Sequence, residues 1–286
     1  MKMKNKKTIV LCMVILSTLA LFLLILMIFL LNGKINLSGL SYGTSLNKPY
    51  KTSENLIIDE IYDVDFTTID ITSVAGEISI KQSEDHTSHL IVYGEKKYVS
   101  VSCDESVLNI VNNKKVSSFF ITRSTIAYIE LYLPKEYENI IDIECDYGNV
   151  TIDKFENAFM KVKVNAGNIC LKEAKEADLK NNCGNIEVDS IYSINAENDL
   201  GNITIGSVLE TLDVSNDCGN IEIDSIHLIH NGKIQANLGN IDIGNTNEIY
   251  ILTDVNLGDS SIHNNYPKSD VTLTITNDCG NINVDN

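Results

Sequence analysis

A short phrase recurs, with variations, eight times between residues 141 and 286, and it constrains the fold more than any other feature of the chain. The phrase is Asp or Asn, one variable residue, Gly, Asn and an aliphatic residue, as in the stretch 182–186. The glycines lie 17 to 22 residues apart. A spacing of this length is typical of solenoids, which stack one supersecondary unit per repeat. We therefore expect a stack of repeats rather than a globular core.

Residues on both sides of each glycine alternate between apolar and polar. Leu212 and Val214 precede Gly219, and Ile221 and Ile223 follow it. A period of two is typical of strands with one buried face. Several repeats have a further apolar residue seven positions after the glycine, which indicates a second bend. Each repeat is predicted to be two short strands and two bends, and the repeats to form a parallel β-solenoid of about eight coils.

The glycine and the residue that follows it are the predicted structural positions of the repeat. Glycine adopts backbone angles that side chains disfavour, and asparagine tolerates left-handed geometry and hydrogen-bonds along a bend. We expect the asparagines of successive repeats to form an amide ladder. These positions are Gly148, Asn149, Gly167, Asn168, Gly184, Asn185, Gly201, Asn202, Gly219, Asn220, Gly239, Asn240, Gly280 and Asn281.

The N-terminus carries a predicted membrane anchor. Residues 1–7 contain four lysines and no acid, and residues 8–31 contain no charge. An apolar run of 24 residues can cross a hydrocarbon layer of about 30 Å as a helix. The positive-inside rule then places residues 1–7 in the cytoplasm and the C-terminal domain outside the cell. A cleaved signal peptide is the alternative, but its apolar region is usually about 7–15 residues long and ends at a small-residue cleavage site.

The predicted fold class is all-β after this single-pass helix, with five parts along the chain. They are a cytoplasmic basic tail (1–7), a transmembrane helix (8–31), a linker (32–55), an N-terminal β cap (56–140) and the solenoid repeats (141–286). The cap contains a degenerate copy of the phrase, in which Glu77 follows Gly76. The last repeat has no covering element, so we expect an open C-terminal rung that Asp278, Asp285 and the terminal carboxylate make unattractive for pairing. The alternative is that another copy or a partner docks there.

The part of the chain that follows the anchor is strongly acidic. Without the four N-terminal lysines, 18 basic residues remain against 39 acidic ones, a net charge of −21. This charge excludes nucleic acid as a partner, because phosphate backbones bind basic surfaces.

Six of the seven cysteines follow the predicted helix. Cys183, Cys218 and Cys279 stand directly before a glycine, where other repeats have leucine, so they are predicted to fill an interior column. Cys183 and Cys218 are two repeats apart, about 9.6 Å, which is too far for a disulfide. Cys145 and Cys170 are expected to be free buried thiols, with a bridge between them as the alternative.

The sequence predicts no catalytic, metal-binding or cofactor-binding residues. The Asp or Asn two residues before each glycine would form an outward row of oxygens, but the nonapeptide of calcium-loaded β-rolls is absent from the chain. The histidines have no companion cysteines at zinc spacing, and hydrolase, phosphate-loop and metalloprotease motifs are missing. A carbohydrate-active enzyme is the alternative, since parallel β-coils support such enzymes when carboxylates line one outer face.

Three stretches resemble a known family: 69–80, Ile-Glu-Leu-Tyr-Leu-Pro at 129–134, and the repeated phrase itself. Together, over residues 56–286, they resemble the bacterial putative-adhesin β-strand-repeat family, which includes membrane-anchored accessory proteins of the Lia envelope-stress operon. The resemblance implies a surface-exposed, non-enzymatic β-solenoid, and no binding residues carry over. The expected function is a binding or accessory module of the cell envelope, with an envelope protein or a cell-wall component as partner. A surface adhesin that self-associates through its C-terminal rung is a further alternative.

Overall fold

The described part of the chain is an all-β solenoid. The computed structural model describes residues 51–113 and 126–285. The chain divides into two compact units, Met1–Lys48 and Pro49–Asn286, and the described residues belong to the second. The predicted basic tail, the transmembrane helix at 8–31 and most of the linker lie outside them. Within 51–113 and 126–285, no helix is long and apolar enough to cross a membrane.

Strands account for most of the described residues, and a single 3-10 turn covers Lys96–Tyr98. The strands are β1 (Leu56–Tyr62), β2 (Thr68–Ser83), β3 (Ser88–Tyr93), β4 (Val99–Asp104), β5 (Val107–Asn112), β6 (Ala127–Pro134), β7 (Ile140–Tyr147), β8 (Val150–Ala166), β9 (Ile169–Cys183), β10 (Ile186–Leu200), β11 (Ile203–Cys218), β12 (Ile221–Ile226), β13 (Gly232–Leu238), β14 (Ile241–Thr246), β15 (Tyr250–Leu257), β16 (Ser260–Ile262), β17 (Thr272–Cys279) and β18 (Ile282–Val284).

The repeats stack as coils, which we name after their corner glycines. β9, β10 and β11 pair in parallel and in register, so equivalent residues of successive coils lie side by side. These strands are 15 to 16 residues long and continue through the second bend, because pairing to the neighbouring coil is maintained there. The two short strands predicted for each repeat are therefore one continuous strand in this part of the solenoid.

The interior consists of columns of aliphatic side chains. Ile186 pairs with Ile203, and Ile203 pairs with Ile221, and all three are fully buried. Burying such a side chain contributes about 1.5–3 kcal/mol, and the column places it beside the equivalent residues of the neighbouring coils. Each coil therefore depends on its neighbours, as in other solenoids. The predictions of an all-β chain and of a β-solenoid are confirmed.

The coils stack in chain order up to Gly239, but the last two exchange places. β17 pairs with β13 on one side and with β15 on the other, and β18 likewise lies between β14 and β16. The Gly280 coil is therefore the penultimate coil, and the Gly258 coil forms the free end. The predicted position of the open rung was wrong, because the C-terminal repeat is covered on both sides.

The Gly258 coil has the composition of an end cap. Thr253 and Ser260 stand in register with the buried Ile275 and Ile282 of the preceding coil, and their hydroxyl oxygens are 3.5 Å apart. Hydroxyl groups tolerate water where an aliphatic residue would be exposed. The irregular sequence after Gly258 is therefore explained by its position at the end of the stack.

Backbone groups of the edge strand β15 are also covered. The side-chain amide of Asn265 accepts a hydrogen bond from the backbone N–H of Ile251 at 2.8 Å and donates one to its carbonyl oxygen at 2.9 Å. Asn265 thus replaces a neighbouring strand at this residue, a common way to protect a sheet edge.

The N-terminal cap shares the sheets of the solenoid. The first half of β2 pairs in parallel with β5 and β7, and its second half pairs in parallel with β6 and β8. β4 then adds to β5, and β3 and β1 add beyond β6, all in antiparallel orientation. β2 therefore forms a first coil around Gly76, and the change to antiparallel pairing ends the solenoid.

Candidate functional site

The predicted structural glycines lie along one corner of the solenoid. The eight glycines from Gly148 to Gly280 have φ angles between 136° and 155°, which side chains disfavour. A Cβ atom on Gly201 would lie 1.9 Å from the carbonyl oxygen of Gly184. The corner thus requires glycine both for its backbone angle and for the close approach of successive coils.

The predicted asparagines form a ladder beside these glycines. The Oδ1 atom of Asn185 accepts the backbone N–H of Asn202 at 2.9 Å, and Asn202 accepts that of Asn220 at the same distance. The pattern extends from Asn149 to Asn281. Most rungs are therefore side chain to backbone rather than the expected amide to amide, because the N–H groups at the bend need an acceptor.

A second row of asparagines, which the sequence analysis did not single out, lies inside the same corner. Asn181, Asn198, Asn216 and Asn277 are 1 to 3 % exposed. Each donates its Nδ2 group to the carbonyl oxygen of a corner glycine in the preceding coil, at 2.9 to 3.2 Å. The signal was an asparagine three residues before glycine, at a position that the period of two directs inward.

Most residues directly before the corner glycines are exposed, which corrects the predicted interior column of cysteines; Ala166 and Cys183 are half-buried. Leu200, Leu238 and Leu257 are 53, 45 and 58 % exposed, and Cys218 and Cys279 are also exposed. The corner interrupts the strand alternation, so a position expected inside faces solvent. We call this row the corner ridge; in spatial order it is Tyr147, Ala166, Cys183, Leu200, Cys218, Leu238, Cys279 and Leu257.

Cys145 and Cys170 do not form a bridge. Both are free; Cys145 is buried and Cys170 is half-buried. Burial raises the pKa of the Cys145 thiol to about 12, so this side chain is a neutral core group rather than a nucleophile.

Hydrogen bonds between coils also occupy the outward row two residues before the glycines. Asn165 donates its Nδ2 group to Asp146 at 2.6 Å, and Asn237 donates to Asp217 at 2.8 Å. Within the described residues, no group of three or more His, Cys, Asp or Glu side chains is arranged to hold a metal ion.

The outer face of the N-terminal cap departs from the repeat pattern. β3 and β6 pair so that Tyr93 lies opposite Tyr128, and His89 lies opposite Tyr132. Glu130 lies between the two tyrosines of β6, and Lys81 of β2 is in register with Tyr132. We call this surface the tyrosine–lysine face; it consists of Lys51, Lys81, His89, Tyr93, Tyr128, Glu130 and Tyr132.

Glu130 organises this face. It is 9 % exposed, and its Oε1 atom accepts hydrogen bonds from Lys51 Nζ at 2.5 Å and from Lys81 Nζ at 2.8 Å. The Lys51 ammonium lies 5.8 Å from the ring centroid of Tyr128, and that of Lys81 lies 5.2 Å from the centroid of Tyr132. Cations at this distance are attracted to aromatic rings. The Glu130 carboxylate therefore holds both lysine ammonium groups in position, and each ammonium group contacts one tyrosine ring.

The protonation states of this cluster are set by its internal contacts. Burial opposes ionisation of Glu130, but the hydrogen bonds from Lys51 and Lys81 outweigh it and hold the carboxyl pKa below its usual range. Burial also disfavours the charged form of Lys81, but the hydrogen bond to Glu130 outweighs it and raises the lysine pKa. Both groups are therefore ionised at neutral pH.

His89 extends the face toward β1. Its Nε2 atom lies 2.6 Å from an Asp59 carboxylate oxygen, and its ring centroid lies 5.9 Å from that of Tyr132. The face thus combines aromatic surface with hydrogen-bonding groups of both charges, which can contact apolar and polar parts of one ligand.

The sequence contained only a weak signal for this face. The outward positions of β6 are Tyr128, Glu130 and Tyr132, a charge between two aromatic residues. Lys51 and Lys81 join Glu130 from 79 and 49 residues away, so no local pattern could reveal the cluster.

Comparison with known proteins places the described solenoid in a family. Residues 66–286 match the family model described as Toastrack DUF4097, in agreement with the resemblance noted from the sequence. A search of the curated proteins finds no match.

Three solved structures of bacterial proteins are similar to this chain. A putative adhesin from Bacteroides fragilis is 17 % identical with a TM-score of 0.48, and the match covers 81 % of this chain and 98 % of that one. A putative lipid binding protein from Parabacteroides distasonis is 16 % identical with a TM-score of 0.49, covering 79 % and 96 %. A putative adhesin from Parabacteroides merdae is 17 % identical with a TM-score of 0.43, covering 81 % and 97 %.

Proposed function

The chain belongs to the Toastrack DUF4097 family, and from this premise we propose that it is a non-catalytic binding module of the bacterial cell envelope. Residues 8–31 anchor it in the membrane as a single helix, and the solenoid is extracellular. The uncharged run of 24 residues after four lysines supports this arrangement. The module is adhesin-like or accessory to an envelope-stress system, and its partner is an envelope protein or a cell-wall component.

The tyrosine–lysine face is the observation that carries the proposal. Tyrosine provides a large and rigid contact area at low entropic cost, and residues of this type dominate the energetics of many interfaces. Here Glu130 and two lysines hold the rings in place before any partner arrives. A surface that is ordered in advance loses less entropy on binding.

The electrostatics of Glu130 favour binding over glycoside hydrolysis. A general acid in a glycosidase needs a carboxyl group with a raised pKa. The pKa of Glu130 is instead lowered by its two lysine partners, so this carboxyl remains ionised. Its chemistry is suited to positioning its neighbours, and we propose no catalytic residue for this chain.

Site-specific photo-crosslinking tests the binding face. A benzophenone amino acid replaces Tyr132 in the full-length chain, which is irradiated in the membrane of producing cells. The matched control replaces Tyr192, which is 37 % exposed and lies on the solenoid. We expect a defined covalent adduct only from position 132, reduced at least about fivefold by Tyr128→Ala because one ring of the platform is lost. Equal capture at both positions, or none at 132, would overturn the assignment of this face.

Thiol labelling tests the topology separately. Cys218 is exposed in the solenoid, so a membrane-impermeant maleimide should label the chain on intact cells. A variant with the six cysteines after residue 100 replaced by serine should remain unlabelled. Labelling of the full-length chain only after lysis would contradict an extracellular solenoid.

A further inference from the structure

The corner ridge is an uncharged row along the solenoid. Tyr147 is in register with Ala166, Leu200 with Cys218, and Leu238 with Cys279. Leu257 completes the row on the edge coil. At about 4.8 Å per coil, eight side chains extend roughly 34 Å. Scattered exposed leucines are ordinary on protein surfaces, but a continuous apolar row indicates an interaction surface.

A row of polar residues flanks the ridge on each side, and the two rows differ in charge. One flank is the residue two before each glycine, and the other is the residue directly after it. The Gly219 coil has Asp217 on one side and Asn220 on the other, and the Gly258 coil has the reverse, Asn256 and Asp259. In five of the eight coils, an aspartate on one flank faces an asparagine on the other at the same height. The Gly167, Gly184 and Gly239 coils have asparagine on both flanks, and no coil has acids on both sides.

We propose that the corner ridge is the contact surface for a second copy of this chain, with the two solenoids side by side and parallel. A twofold axis parallel to the solenoid places each ridge residue against its own counterpart. The same operation brings the aspartate-bearing flank of one copy onto the asparagine ladder of the other. An antiparallel pair would instead bring the two aspartate-bearing flanks together, which is unfavourable for like charges.

The parallel arrangement agrees with the anchoring in the proposed function, on which this part of the inference rests. Two copies held in the same membrane by their N-terminal helices can pair in parallel while both remain anchored. A ridge of eight side chains buries less than the roughly 800 Å² per partner of a standard interface, so association in solution is weak. Confinement to a membrane raises the effective concentration of the second copy and favours the pair.

The charge of the molecule makes a second copy a better occupant than a lipid surface. Asp146, Asp199, Asp217 and Asp278 border the ridge, and the chain after the anchor carries −21. Anionic headgroups repel such a surface. Two copies also repel each other, but only exposed charges within about 8 Å contribute strongly at physiological ionic strength.

Cysteine cross-linking of the full-length chain in phosphatidylcholine vesicles tests the pairing. Single-cysteine variants retain Cys218 alone, or carry Tyr147→Cys or Leu257→Cys, with all other cysteines replaced by serine. Diamide oxidises two facing thiols to a disulfide; the thiols lose two protons and two electrons, which reduce its azo bond to a hydrazine. We expect disulfide dimers from all three variants, since each residue faces itself.

The control variant carries Tyr192→Cys, which is exposed away from the ridge, and should form at least about tenfold less dimer. If the Cys218 variant forms a dimer but the Tyr147→Cys and Leu257→Cys variants do not, the two solenoids pair in antiparallel orientation. This result would overturn the proposal. The absence of ridge dimers in vesicles would also overturn it.

A charge on the ridge provides an independent test. Leu200→Asp is compatible with the fold because this side chain is 53 % exposed, and it should reduce Cys218 cross-linking about tenfold. Leu209→Asp, at a leucine 36 % exposed elsewhere, should leave it unchanged. Unchanged cross-linking with Leu200→Asp would contradict a ridge interface.

The proposed pairing through the ridge and the proposed membrane anchor are tested separately. If the chain does not remain with vesicles, the proposed anchoring is wrong. The same cross-linking experiment with the protein at about 100 μM in detergent then still tests whether two copies pair through the ridge. Photo-crosslinking at position 132 should not respond to Leu200→Asp, so the binding face is also tested independently.

Discussion

Glu77 occupies the first rung of the asparagine ladder, where later coils have asparagine. Its two carboxylate oxygens accept the Nδ2 group of Asn149 at 3.2 and 3.1 Å. Burial raises the pKa of Glu77, and the hydrogen bonds from Asn149 offset only part of this effect. At neutral pH the folded protein therefore holds a partly buried charge that the unfolded chain would solvate better.

We expect Glu77→Gln to stabilise the protein at pH 7. Glutamine keeps an acceptor for Asn149 and removes the charge, so the gain should be of the order of 1 kcal/mol, a usual size for a single-site effect. Because the folded-state pKa lies above the unfolded value, the wild type loses stability as pH rises from the unfolded pKa of about 4.3 through the folded one. The variant lacks this loss, and its advantage should vanish below pH 4.

Urea unfolding at pH 7 and pH 3.5 measures this difference. Glu187→Gln, at an exposed position on β10, is the control and should change stability by less than about 0.5 kcal/mol. A Glu77→Gln variant that is less stable than wild type at pH 7 would show that the carboxylate is favourable there.

At the scale of strands, the exchange of the last two coils determines which elements need each other. Among the described strands, β15 and β16 pair only with β17 and β18, although they precede them in the chain. The end cap thus comes earlier in the chain than the two strands that lie beneath it.

Removal of residues 272–286 should therefore unfold more than the deleted coil. We expect residues 250–262 to lose amide protection, because their backbone partners are gone, while residues 186–205 remain protected by their own neighbours. Hydrogen exchange read by mass spectrometry distinguishes the two regions. Retained protection at 250–262 would mean that this coil can stack directly on the Gly239 coil, against the order described above.

At the scale of the whole molecule, stability is shared among neighbouring coils. Ile203 is fully buried and lies between Ile186 and Ile221 in its column. We expect Ile203→Ala to lower the free energy of unfolding by about 2–5 kcal/mol. Because each coil completes the burial of the next, faster hydrogen exchange should spread to both neighbouring coils.

Thr204→Ala is the matched control for this substitution. Thr204 is exposed on the same strand, so its replacement should cost less than about 0.5 kcal/mol and leave exchange in the neighbouring coils unchanged. Destabilisation confined to the Gly201 coil in the Ile203→Ala variant would contradict the shared stability.

The interior columns and the glycine corner were encoded locally, and the sequence by itself determined them. Each repeat contains its own period of two and its own glycine, so Ile203 is directed inward by its immediate neighbours. The positive φ of Gly201 likewise follows from a phrase that the chain repeats. These features do not depend on which coil lies next to which.

The tertiary structure alone decided the order of the last two coils, the exposure of the corner ridge and the assembly of the tyrosine–lysine face. The local pattern of β17 allows pairing with β13 or β15, and it pairs with both. The identity of Leu200 does not show whether the corner buries its side chain or exposes it. Lys51 and Glu130 meet across 79 residues. Such contacts depend on which distant strands pair with one another, and the local alternation of apolar and polar residues does not show which pairing forms.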